Sequence, residues 1–227
     1  MSKNGKKTPG NARTGATRIA LVLDRSGSMA SIQEPAREGF NEAVDRVRSE
    51  AAKGSGDVTL SLTTFNEELR DILVNKPADR VRKLRRQDYR PGGCTALFDA
   101  VGHAIDLLDK PGALGSADGA LVIVISDGHE NASTRVSQPD LVERIQKLEA
   151  TDQWTFSFMC ANVDITDLPR NVGVHASNAA AWQPSAAGTA HMGKKVSDAV
   201  SSYMVDRRAG RTGKKDFWDE SDQKDRQ

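Results

Sequence analysis

Apolar positions change their period along this chain, and each change marks an element. Ile19-Ala20-Leu21-Val22-Leu23 is an unbroken apolar run, short enough for a strand buried on both faces. Ile32, Ala36, Phe40, Ala43, Val44, Val47 and Ala51 then recur at helical spacing, a single stripe on a helix of about 31–53. Gly54 and Gly56 end it. Val58, Leu60, Leu62 and Thr64 alternate with Thr59, Ser61 and Thr63, which predicts a strand. After a turn at Asn66-Glu67, residues 69–74 form its hairpin partner. The helical period returns at Ala96, Leu97, Ala100, Val101, Ala104, Ile105 and Leu108, and Leu121-Val122-Ile123-Val124-Ile125 is the strongest strand. Leu141, Val142, Ile145 and Leu148 mark a further helix, with Pro139 tolerated in its first turn. Residues 155–159 and, weakly, 176–182 are strand-like. Met192, Val196, Ala199, Val200, Tyr203 and Met204 give a final helix.

Strands alternating with helices of this length need crossover connections. The expected fold is α/β: a doubly wound, mostly parallel sheet with helices on both faces and the hairpin strand as one antiparallel edge. The folded unit spans residues 18–208. Residues 1–17 lack large apolar side chains and cannot offset their ordering entropy, so a disordered basic arm is expected. Residues 209–227 form a charged tail whose one anchor is Phe217-Trp218, free to dock on the domain or on a partner.

Composition narrows the function. Hydrophobic residues make up 37% of the 227 and the net charge is +1, so no global field recruits nucleic acid or a membrane. Cys94 and Cys160 form no disulfide framework and no CxxC pair. Two free thiols, no apolar signal core in residues 1–17 and no run of ~18 apolar residues lead us to expect a cytoplasmic protein without a membrane span.

The chemistry gathers where strands end. In open α/β sheets, ligands bind beyond the carboxyl ends of the strands, at the switch in strand order. The first strand runs into Asp24-Arg25-Ser26-Gly27-Ser28, and the strongest into Ser126-Asp127-Gly128-His129-Glu130-Asn131. A third segment, Pro91-Gly92-Gly93-Cys94-Thr95-Ala96-Leu97, is a glycine-rich loop feeding a helix. Two carboxylates and three hydroxyls on one point would stay repelled or unsatisfied without a cation. Hard oxygen donors suit Mg²⁺, Mn²⁺ or Ca²⁺ and suit zinc poorly. Ser26, Ser28 and Thr95 would bind directly, with Asp24 and Asp127 behind them.

These three segments, in this order, resemble the metal-ion-dependent adhesion site (MIDAS) of von Willebrand factor type A domains. The resemblance runs from about residue 18 to 203. It implies six strands, five parallel and one antiparallel. It implies Mg²⁺ or Mn²⁺ on Ser26, Ser28 and Thr95, supported by Asp24 and Asp127. It also implies binding rather than turnover, with a protein partner's Asp or Glu completing the coordination. The opening Leu23-Asp24-Arg25-Ser26-Gly27-Ser28-Met29, followed by Gly39-Phe40-Asn41, is similar to stand-alone intracellular bacterial and phage members. Such members often work beside ATPases or in stress-response assemblies. Two departures are small: Cys94 stands where Gly or Ser is common, and Ser126 where Thr is common.

Other readings keep a place beside this one. A Mg²⁺-dependent phosphatase would use Asp24 as nucleophile. However, such enzymes usually carry a second Asp two residues on, where this chain has Ser26, and there is no Gly-x-Ser-x-Gly elbow, Walker loop or His-Glu-x-x-His motif. Residues 76–90, with Arg80, Arg82, Lys83, Arg85, Arg86 and Arg90 against Asp79 and Asp88, read as a solvated loop or short helix. Sharper readings are a patch for an acidic protein partner or, with the arm, for nucleic acid. His129 and Glu130 read as solvated loop, and Cys94 as a small packing residue.

Overall fold

Strand β1 (Thr17–Asp24) lies between β2 (Val58–Phe65) and β4 (Gly119–Ser126), parallel to both. That position explains its lack of polar alternation, because both faces are covered. Ile19, Leu21 and Leu23 face a core shared with Phe40, Val44 and Val47 of α1 (Gln33–Ala51) and Val196, Val200 and Met204 of the last helix, Ala186–Arg208. Ala20 and Val22 face a second core with Val101 and Ile105 of α2 (Leu97–Leu108) and Leu141 and Ile145 of α3 (Gln138–Glu149). The sheet order is β3-β2-β1-β4-β5-β6, with β3 (Leu69–Pro77) the antiparallel edge and β5 (Trp154–Cys160) and β6 (Ala179–Ala181) completing the parallel side. The chain winds outward from β1 to β3, returns to the centre, and winds outward again from β4. The crevice between the carboxyl ends of β1 and β4 is therefore the switch point.

The computed structural model describes residues 15–54, 56–109, 114–162, 164 and 166–218. The expected basic arm, up to residue 14, and the tail beyond Trp218 lie outside the described residues.

Local differences from expectation have local causes. The first helix begins at Gln33, after a 3-10 turn over Gly27–Ile32. Pro35 has no N–H to give the Ser31 carbonyl and its ring would clash there, so α-geometry cannot reach back to Ser31. Strand β3 runs on to Pro77 past a register shift. Asn75 takes φ +47° there, with its N–H on Ser61 Oγ at 3.0 Å, a bulge that hides the strand's true length. A five-residue helix, α4 (Leu168–Val172), precedes β6, and α5 is the last helix, Ala186–Arg208.

The chain after α5 returns to the sheet. Lys214 N–H donates to Thr155 Oγ1 (2.8 Å) and Phe217 N–H to Asn178 Oδ1 (2.8 Å), while Trp218 Nε1 donates to the Asn178 carbonyl (3.0 Å). Phe217 and Trp218 are buried edge to face, their ring centroids 5.0 Å apart. The anchor pair thus docks on the domain. Beside it Arg207, only 1% exposed, donates to Thr17 Oγ1 (3.0 Å) and to the carbonyls of Ala117 (2.8 Å), Ala16 (3.2 Å) and Arg211 (2.6 Å). It closes the amino ends of β1 and β4. Among the described residues no helix is long and apolar enough to cross a membrane.

Candidate metal centre

Asp24 and Ser126 end the two central strands side by side. Ser126 Oγ donates to Asp24 Oδ2 at 2.5 Å and the Ser26 N–H to Asp24 Oδ1 at 2.6 Å. Both carboxylate oxygens are engaged, and the residue is fully buried. Burial pushes the Asp24 carboxyl upward, the hydrogen bonds from Ser126 and Ser26 oppose the shift, and the Asp127 charge adds to it. Burial likewise raises Asp127, against the hydrogen bond from Ser28. Each carboxylate is desolvated and faces a like charge, an arrangement that an added cation would relieve.

The hydroxyls converge from two loops, and a third brings Asp127 and Gly128. Ser28 Oγ lies 3.1 Å from Ser26 Oγ and donates to Asp127 Oδ1 at 2.7 Å. Thr95 is fixed by Asn131, whose Oδ1 accepts the Thr95 N–H (2.8 Å) and whose N–H meets the Thr95 carbonyl (3.0 Å). Gly128 supplies the empty ground between them. A methyl group on its Cα would sit 3.2 Å from Thr95 Oγ1, 3.8 Å from Ser28 Oγ and 4.0 Å from Asp24 Oδ2. Three of the five sequence-selected residues therefore line one small space, and hydrogen bonds tie the other two, Ser26 and Asp127, to Ser28 at its edge.

The loops are pinned to each other. Gly27 N–H donates to the Gly93 carbonyl (3.0 Å) and Gly92 N–H to the Arg25 carbonyl (2.8 Å). Gly93 takes φ +79°, and a Cβ there would strike the Glu67 carboxylate at 2.0 Å, which itself accepts the Cys94 N–H (2.8 Å). The positive φ favours glycine there. Tyr89 is buried below and donates its hydroxyl to the Asp24 carbonyl at 2.8 Å. Burial and the two nearby carboxylates raise its pKa, so it stays a donor.

Several neighbours differ from the sequence reading. Glu130 is half-buried and bound rather than free: it accepts from the N–H groups of Phe98 (2.9 Å), Ala132 (2.9 Å) and Ser133 (2.7 Å) and staples the loop after β4 to the start of α2. Cys94 is exposed rather than packed. Cys160 is the buried thiol, pushed up to about 12 by burial and by Asp24. The 76–90 stretch is not a free loop, because Ala78, Val81, Leu84 and Tyr89 are core residues. Much of its charge is answered within the domain: Arg82 and Arg85 grip Asp88 (2.6 and 3.1 Å), Lys83 meets Asp45 (2.6 Å) and Arg86 meets Glu34 (3.2 Å). Tyr89 and Asn131 were not singled out in sequence. Both act through backbone contacts that leave no spacing signature.

Among the described residues no group of three or more His, Cys, Asp or Glu side chains is placed to share a metal ion. The donor set here is instead two carboxylates and three hydroxyls, all hard oxygens, which fits Mg²⁺, Mn²⁺ or Ca²⁺.

A family profile described as von Willebrand factor type A domain matches residues 19–181. The chain belongs to that family. Three solved structures share the von Willebrand factor type A fold with it. One is described as von Willebrand factor type A from Catenulispora acidiphila (16% identity, TM-score 0.55, 84% of this chain and 43% of that one). Another is the PilB minor pilin from Streptococcus sanguinis (13%, TM-score 0.61, 85% and 62%). The third is proximal thread matrix protein 1 from the mussel byssus (15%, TM-score 0.57, 81% and 48%). The chain thus spans less than two thirds of each of these structures. No match was found among curated proteins. Von Willebrand factor type A domains commonly serve as protein-interaction modules rather than enzymes.

Proposed function

We propose that this domain is a metal-dependent protein-binding module acting in the cytoplasm, with a MIDAS-type centre of the stand-alone intracellular kind. Ser26, Ser28 and Thr95 would hold Mg²⁺, with Mn²⁺ or Ca²⁺ as substitutes, and Asp24 and Asp127 would orient those hydroxyls. A bound cation supplies a positive centre able to accept an Asp or Glu carboxylate from a protein partner. The observation that carries this reading is the oxygen-lined space over Gly128. The Ser26 and Ser28 hydroxyls are held by hydrogen bonds to each other and to Asp127, and the Thr95 backbone by Asn131, the fixed placement that a binding site needs. The family-level suggestion of a partner is an assembly built around an ATPase or a stress response.

The phosphatase alternative draws less support from the same geometry. Asp24 is wholly buried and each of its oxygens accepts a hydrogen bond, which lowers its reactivity as a nucleophile toward phosphorus. The nucleic-acid alternative draws less too, because the arginines of 76–90 are partly spent on Asp88 and Glu34.

Titration calorimetry with Mn²⁺ tests the proposal. Replacing both serines (Ser26→Ala with Ser28→Ala) should abolish measurable binding while the circular dichroism spectrum stays unchanged. Undiminished Mn²⁺ affinity in that variant would overturn the ligand assignment.

A further inference from the structure

Next to the candidate centre, on the β5 side, lies a cavity of about 370 Å³ that shares Gly128 as a wall with the oxygen-lined space. Its floor is apolar: Leu97, Leu168, Val172 and Cys160, all buried. Its rim carries Asp164 and Asp167. We propose that this cavity receives a long cationic side chain, Arg or Lys, from the same partner segment that presents its carboxylate to the metal. The inference rests on the metal-binding reading above and adds the partner's second determinant.

Three observations support the choice of occupant. Sharing Gly128 places the cavity within a residue or two of the coordinating carboxylate on any extended partner segment. An apolar floor under a charged rim matches the methylene stem and charged head of Arg or Lys. The rim charge is also available. Asp164 has no ion-pair partner among the described residues, and its Oδ1 accepts only from the Thr166 N–H (2.8 Å) and hydroxyl (2.6 Å) of its own turn. Those bonds hold its carboxyl below the ordinary range, so it is ionised at neutral pH. Asp167 meets only Arg170, whose side chain is 79% exposed and whose pull is weak in water. A second acid from the partner would be repelled here, and a purely apolar side chain would desolvate both rim carboxylates without compensation.

The test is a display library of random peptides around one fixed Asp, selected on the full chain in Mg²⁺ and eluted with EDTA. The expected EDTA-eluted clones are enriched in Arg or Lys within two residues of the Asp. The Asp164→Asn, Asp167→Asn double variant should lose that enrichment and bind a selected peptide about five- to tenfold more weakly, while still yielding Mg²⁺-dependent clones. Asn keeps an acceptor oxygen for Thr166, so the turn is preserved. Mg²⁺-dependent clones without a basic bias, or with the same bias on the double variant, would overturn this inference and leave the metal reading standing. A selection with no EDTA-eluted clones would overturn it as well. Mn²⁺ calorimetry on the same preparation then shows whether the metal reading failed with it.

Discussion

Gly128 matters for the side chain it does not have. The space over its Cα is where Thr95, Ser28 and Asp24 point their oxygens. Gly128→Ala would fill that space with a methyl 3.2 Å from Thr95 Oγ1. We expect Mn²⁺ affinity to drop at least tenfold, about the scale of disturbing the residues that orient metal ligands, with the melting temperature nearly unchanged. A calorimetric Kd equal to wild type would contradict the cradle. Glu149 makes a different residue-scale case. Its Oε1 is buried without a partner, and burial lifts its carboxyl from 4.5 to about 7, against hydrogen bonds from the His175 and Phe156 backbone. Between those two values the folded state keeps a proton that the unfolded chain has released. Stability therefore falls as pH rises from about 4.5 to about 7. Glu149→Gln should remove that fall and be more stable by about 2–3 kcal/mol above pH 7, read as urea midpoints at pH 5 and pH 8.

At the scale of elements, the parts the sequence disclosed were those with a period. The unbroken run in β1, the alternation in β2 and the stripes on α1, α2, α3 and α5 each follow from which faces are covered. Asp24, Ser26, Ser28 and Asp127 were selected because they follow directly on such strands, and Thr95 because it lies just before such a helix. The missed features have no period. The Asn75 bulge prolongs β3, α4 is barely more than one turn, and Asn131, Tyr89 and Glu130 act through backbone partners. The terminal segment belongs to this group. A single aromatic pair in a charged stretch does not say what it packs on, whereas the fold seats Phe217 and Trp218 beside Tyr203 and Asn178. Trp218→Ala should cost about 3–5 kcal/mol, as for other large buried aromatics. Stopping the chain after Arg208 should cost at least as much, because Arg207 also loses the Arg211 carbonyl. Denaturant midpoints for both variants check this, and a truncated chain as stable as the whole would contradict it.

For the whole molecule, ligand binding and stability are linked. A cation that binds only the folded state, present at a hundredfold excess over its Kd, adds about 2.7 kcal/mol. For a chain of this size that raises the melting temperature by about 5–10 °C. Thermal melts in Mg²⁺ and in EDTA should differ by this amount in the wild type and coincide in the double-serine variant. The EDTA state should remain folded, because both cores are built from apolar side chains and not from the site's hydroxyls and carboxylates. A melt unaffected by Mg²⁺ at any concentration would contradict the linkage.

The guanidinium of Arg207 has one more consequence. It grips the start of β1 and β4 at the far end from Asp24 and Asp127, so the foundation of the two central strands draws on none of the loops that carry the hydroxyls and acids. Those three crossings could be exchanged for others as a set, redirecting what the domain recognises while its base keeps the same footing.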